Sequence, residues 1–382
     1  MAFINEVYSI PDALIFLPGL LNKDKIKLYY LYYWAFIIWS TIMKKLNLFI
    51  FLMFSSFGLF FVSTQQQSKA AAVDRQTQTQ LHDYLKSHHI NGVMLVNGKG
   101  SKAITITNNE TTNNKQLVKA NRLFPTASLQ KIVTGTAIYQ LAQKKQLGWD
   151  TSLNTYFPQI DGSEDIAIRE LMNHTSGLVN NDRPALPLRG QKQQITYMLE
   201  HMRNDHVHTW DYQDVDYELL AAIISKQVHL SYNTYIHQRF AKPLHLNQIK
   251  DFSEVTPKQV PQPMDPAISW HQVTVTTSSD FGAGNLFMSP NNYWKFIYNE
   301  VLGNSKMTTE FYQQAKKQEV AYFGGVYFDG DIIRANGSIP GYNCCFIANY
   351  KTKKMVMLFS NNIDYLTLKA ASDDLLHNYM GA

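Results

Sequence analysis

The chain has 382 residues, 45% of them hydrophobic and 17% charged, with a formal net charge of +5. That apolar content excludes an intrinsically disordered chain, and the length suffices for a large buried core. Two cysteines exclude a disulfide scaffold, and so mild a basic excess without a basic motif gives no support for nucleic-acid binding.

The N-terminus is unlike the rest. Residues 28–42 are apolar and tyrosine-rich, Lys44 and Lys45 interrupt, and residues 46–63 form an uncharged stretch of membrane-compatible length. Read from Met43, residues 43–72 have the layout of a secretory signal peptide or membrane anchor: lysines, an apolar run, then a polar stretch ending in Ala70, Ala71 and Ala72. Residues 1–42 are then an extension that is either not translated from the functional start or an extra membrane segment. Both alternatives export residues 73–382 as one domain, which meets the membrane only through the N-terminal segment.

Gln65 to Gln80, rich in Gln, Ala and Thr, reads as a tether into a first helix that runs to about His89, succeeded by strands at Gly92–Val96 and Ala103–Thr107. A predominantly helical region extends from about Ser128 to Tyr298. Its first helix is signalled by Pro125 and Thr126, then by Leu129, Ile132, Val133, Ile138 and Leu141 at near-helical spacing until Gly148. Strands return at Ala321–Phe328, Ile332–Ala335, Cys344–Asn349 and Met355–Ser360, Tyr350–Lys354 turns the last pair, and Tyr365–Met380 reads as a closing helix. Strands from both chain ends flanking a helical insert predict an α/β domain and an all-helical domain with a site between them.

Chemistry enters at Phe124–Lys131, FPTASLQK. Ser128 and Lys131 are three positions apart, so a helix sets hydroxyl and amine on one face. A serine hydroxyl is a poor nucleophile until a base takes its proton, and a lysine serves only where its surroundings favour the neutral amine. Backbone amides of the first helical turn lack intrahelical partners and can hold an oxyanion. Ser-x-x-Lys alone also describes many exposed helix faces, so the order of the motifs downstream decides. IAIRELMNHTSGL at 166–178, WDYQDVDYELLAAII at 210–224 and NGSIPGY at 336–342 come next. Between and around them lie GWDTSLNTYFP at 148–158, LSYNTYI at 230–236, KPLHL at 242–246 and GAGNL at 282–286.

Together these stretches resemble the class C beta-lactamase and penicillin-binding-protein-like serine hydrolases, from about Val73 to the C-terminus. The resemblance implies a beta-lactamase/transpeptidase-like fold, an antiparallel sheet flanked by helices plus an all-helical domain. It also implies Ser128 as acylated nucleophile, Lys131 as its proton partner, Tyr212 in a shared acid/base role, and the amides of Ser128 and Ser338 as oxyanion donors. Asp214, Asn336 and Gly337 take positions at the substrate.

Two motifs depart from the family pattern. Its Tyr-x-Asn is here Tyr212-Gln213-Asp214, and a carboxylate beside Lys131 is expected to hold the ammonium charged. The family's cation aligns with Ala335 and its Ser/Thr with Asn336, which removes the side chain expected to recognise a free carboxylate. Arg334 points to the other face of a strand from Ala335. His174 reads as a hydrogen-bonded turn residue, His206 and His208 as a loop without a completing carboxylate, and Cys344 and Cys345 as buried free thiols. No phosphate loop, dinucleotide fingerprint or zinc spacing is present, so no cofactor or metal is expected. The implied activity is an exported cell-envelope serine hydrolase acting on a D-alanyl ester or amide. Its partner is a cell-wall polymer, with teichoic acid D-alanyl ester slightly ahead of the peptidoglycan stem. The alternative is a degenerate, non-catalytic binding or sensor protein.

Overall fold

The computed structural model describes residues 72–381 together with Trp34 and Trp39. The chain divides into two units, 1–67 and 68–382, and the helices and strands named below all belong to the second. Apart from those residues, the expected extension and the signal or anchor segment lie outside the described residues. Among the described residues no helix is long and apolar enough to cross a membrane.

Helix α1 (Arg75–Ser87) opens the domain, with the Asp74 carboxylate accepting from the Thr77 amide as its N-cap. Strands β1 (Gly92–Asn97) and β2 (Ala103–Asn108) come next, then the buried helices α2 (Lys131–Gln143) and α3 (Asp214–Val228) within the helical region. Strands β3 (Tyr322–Phe323), β4 (Val326–Asp329), β5 (Ile332–Ile339), β6 (Tyr342–Asn349) and β7 (Met355–Ser360) precede helix α4 (Tyr365–Asp374). They form one seven-stranded sheet in the order β2-β1-β7-β6-β5-β4-β3, and every pairing is antiparallel.

Both faces of the sheet are covered, which explains why β1, β6 and β7 read as continuous apolar runs. Val93, Leu95, Phe346, Met357 and Phe359 join the large core shared with α2 and α3. Their neighbours Met94, Val96, Ile347 and Leu358 join a second core with Leu81 and Leu85 of α1 and Leu368 and Ala371 of α4. The helices α2 and α3 are buried nearly all round, as helices at the centre of a domain are.

Two expectations need correction. Residues 321–328 are two strands, because Gly324 and Gly325 have φ of +68° and +98° and turn the chain between β3 and β4. Ser128 precedes the α-helix, in a 3-10 turn over Ala127–Gln130. The middle region also contains a small three-stranded sheet of Phe124–Pro125, Leu286–Met288 and Ile249–Asp251.

Candidate active site

Helices α2 and α3 each begin at the same place in the domain, so Lys131, first residue of α2, meets Asp214, first residue of α3. Lys131 Nζ donates to Asp214 Oδ1 at 2.6 Å, to Ser128 Oγ at 3.1 Å and to the Ala283 carbonyl at 3.3 Å. An ammonium has three N–H donors, and this one finds three acceptors. Burial alone favours the neutral amine, but the Asp214 and Tyr212 oxygens outweigh it and the Lys131 pKa is raised. Burial likewise pushes Asp214 up, and the Lys131 ammonium reverses that, leaving the carboxyl below its ordinary range. Tyr212 is raised by burial against the pull of Lys131. Near neutral pH the group therefore rests as ammonium, carboxylate and phenol, with the ammonium 4.9 Å from the centre of the Tyr212 ring.

The backbone before the serine is constrained. Ala127 holds φ at +45°, a left-handed conformation that costs an L-residue roughly 1–2 kcal/mol. Strand β5 presses on this turn: a Cβ on Gly337 would stand 2.6 Å from the Thr126 carbonyl oxygen and 3.2 Å from Ala127 Cβ. Gly337 thus lets the strand reach the serine turn. Cys344, its register partner on β6, sits 3.5 Å from the Thr126 carbonyl oxygen.

Ser128, Tyr212, Ala335, Asn336 and Ser338 line one cavity of about 550 Å³. Strand β4 pairs with β5 only through Arg334, so the β5 edge from Ala335 onward has no strand neighbour on that side. An open strand edge presents backbone donors and acceptors to whatever fills the cavity. Ala335 packs into the large core, whereas Arg334, Asn336 and Ser338 alternate to the other face. Gly337 and Asp214 do not line the cavity: one packs against the serine turn and the other lies on Lys131.

A family model described as Beta-lactamase matches residues 77–364. The chain belongs to the beta-lactamase family. Its relatives in that family include PbpX of Bacillus subtilis, a protein named for penicillin binding, 24% identical over 78% of this chain and 76% of that one. A teichoic acid D-alanine hydrolase of Staphylococcus aureus is 25% identical over 63% of this chain and 62% of the relative. The fold is that of FmtA from Staphylococcus aureus, with a TM-score of 0.66 at 21% identity over 84% of this chain and 94% of that chain. A D-amino acid amidase from Ochrobactrum anthropi gives 0.65 at 19% identity, over 78% and 94%. The beta-lactamase/transpeptidase-like architecture expected from the sequence is therefore present.

Within this family member, several further residues support the site. Arg183, in the loop before Arg189, pairs with Asp280 and lies 3.6 Å from Asp214 Oδ2. Burial and the Asp214 charge, against the pull of Arg183, push Asp280 up to about 6. Gln130 bonds Asn285 Oδ1 at 2.9 Å and accepts from the Leu286 amide at 2.7 Å, tying the serine turn to the small sheet. His174 is buried, with Nδ1 2.8 Å from Asp216 Oδ2. Its carbonyl accepts from the Asp211 amide at 2.9 Å, and its Nδ1 lies 3.4 Å from the Gln213 amide nitrogen. Those two residues flank Tyr212, whose ring lies 4.4 Å from the imidazole, so the turn histidine also sets the tyrosine loop.

His206 and His208 each meet one carboxylate. Nε2 of His206 lies 2.9 Å from Asp161 and Nδ1 of His208 lies 2.8 Å from Glu170. The fold supplies these acids from distant positions, and among the described residues no group of three metal-ligating side chains forms. Cys344 and Cys345 are both buried and free.

Proposed function

We propose that this protein is an exported serine hydrolase of the cell envelope that removes D-alanyl ester groups from teichoic acid through an acyl-serine intermediate. The observation that carries the reading is the chain from Ser128 Oγ to Lys131 Nζ to Asp214 Oδ1, with contacts of 3.1 Å and 2.6 Å. In this reading Ser128 Oγ attacks the ester carbonyl, its proton passes to Lys131, and Lys131 passes one of its own to Asp214. The negative charge of Asp214 is thereby transferred to the oxyanion, which the Ser128 and Ser338 amides hold. The Tyr212 phenol protonates the departing alkoxide, and the proton on Asp214 returns through Lys131 to the phenolate. Water then opens the acyl-serine by the same groups.

The substrate half of the proposal is supported by the names of relatives, a teichoic acid D-alanine hydrolase and a D-amino acid amidase. It is also supported by Ala335, which offers no cation to a substrate carboxylate, whereas a D-alanyl ester carries an ammonium. The same relationships support a site on the outer face of the membrane, held there by the N-terminal segment or secreted after cleavage.

The test incubates the purified protein with D-alanylated teichoic acid and with muropeptides and quantifies free D-alanine, alongside labelling by a fluorophosphonate. Ser128→Ala is expected to abolish labelling, and Lys131→Ala to slow it by ~10²–10⁴-fold, the usual worth of general base assistance. Release from muropeptides alone would overturn the esterase reading. Release from neither, with no labelling, would leave a binding or sensor protein.

A further inference from the structure

The cavity beside Ser128 has an outer wall that the proposed hydrolysis does not use. Tyr365, Lys369 and Asp373 recur every fourth residue along α4 and share one helix face. Tyr365 and Lys369 line the cavity together with Arg334 of β5. Arg334 Nη1 donates to Asp373 Oδ1 at 3.0 Å, an ion pair in which both side chains remain well exposed. A guanidinium has five donors, so one such bond leaves others for a ligand. Lys369 has no ion-pair partner within 4.0 Å among the described residues. Two cations against one carboxylate leave the wall positive.

We infer that this wall is a subsite for an anion on the leaving-group side of the scissile bond, and that the anion is a phosphodiester of a polyol-phosphate backbone; the inference rests on the esterase reading. A carboxylate directly beside the scissile bond would meet position 335, where the side chain is a methyl group packed into the core. Arg334 stands on the opposite strand face from that methyl group, and Lys369 reaches the cavity from α4. The charge they meet therefore lies further along the leaving group. In a polyol-phosphate polymer each esterified alcohol is flanked by phosphodiesters, which offer oxygen acceptors to a guanidinium fork and an ammonium. Exposed cations also draw a polyanion toward the cavity before docking, an attraction that salt screens.

The experiment uses the full chain and the variants Arg334→Gln, Lys369→Gln and the double. Calorimetric binding of polyglycerol phosphate lacking D-alanine is expected to weaken about tenfold in each single variant, the scale of one charge-assisted hydrogen bond. The loss is expected to shrink as sodium chloride is raised. In turnover, the ratio of KM for the D-alanylated polymer to KM for D-alanine methyl ester is expected to rise by a similar factor. Unchanged polymer binding would overturn the inference, as would equal KM effects on polymer and methyl ester. A selective KM rise on muropeptides would overturn it in favour of a carboxylate. Polymer binding that responds as expected in a protein hydrolysing no D-alanyl ester would defeat the esterase reading while leaving the subsite in place.

Discussion

Asp214 stands where the family pattern has asparagine, and at 2.6 Å from Lys131 Nζ it decides the protonation state of the site. Its pKa is lowered from 3.8, so its stabilisation of the fold is present above that value and fades as pH falls through the folded-state pKa. Lys131 is raised from 10.5, so its contribution is complete below that value and is lost as pH rises through the higher folded value. If Asp214 is the terminal proton acceptor, fluorophosphonate labelling of the wild type should be flat between about pH 5 and 8, well inside those limits. Asp214→Asn removes the charge that raises Lys131 and leaves burial, which lowers it, so labelling should then climb with pH as the neutral amine forms. A wild-type rate that itself climbs across that range would make Lys131 the base without Asp214. Ala335 is the other departure: Ala335→Lys should speed acylation by penicillin, read as the rate of fluorescent penicillin labelling, because it supplies the missing partner for a carboxylate.

The start of α2 is held by two glycines contributed by the sheet. Besides the close approach of Gly337 to the serine turn, Gly325 lies against the first turn of α2, where a Cβ would collide with the Ile132 amide nitrogen. Its φ of +98° is also one that L-residues rarely adopt. Gly325→Ala should therefore destabilise the domain by about 1–3 kcal/mol or more, the cost of overpacking, visible as a lower Tm. Because the displaced backbone is that of Lys131 and Ile132, labelling of Ser128 should slow at temperatures where the variant remains folded. A Tm within error of the wild type would show that β3 and β4 move without cost. The same turn corrects the reading of 321–328 as one strand: two consecutive glycines supply the positive φ that both central positions of a tight hairpin turn require, so this reversal is a local signal of the sequence.

For the whole molecule, the sheet has apolar residues on both faces and is sealed by α1 and α4 on one side and by the helical region on the other. Residues 68–382 form one of the two units of the chain. A chain lacking residues 1–42 should accordingly keep full fluorophosphonate labelling. If Met43 is the functional start, that chain should still be exported, and the size of the exported product should report cleavage near Ala72. Loss of export with labelling intact would assign the extension to membrane insertion.

The sequence by itself determined what depends on short separations. Ser128 and Lys131 share a face because one turn of helix joins them, and alternation along 332–339 places Ala335 and Arg334 on opposite faces. The ordered motifs determined the family. Only the tertiary structure decided the charge state of Lys131, which depends on the balance between burial and the distance to a carboxylate 83 residues away. It alone brought Arg183 to Asp214, His174 to the backbone on both sides of Tyr212, and Lys369 to the wall that Arg334 occupies. Those contacts join elements that touch only because the two cores close around the sheet, and no local pattern encodes them.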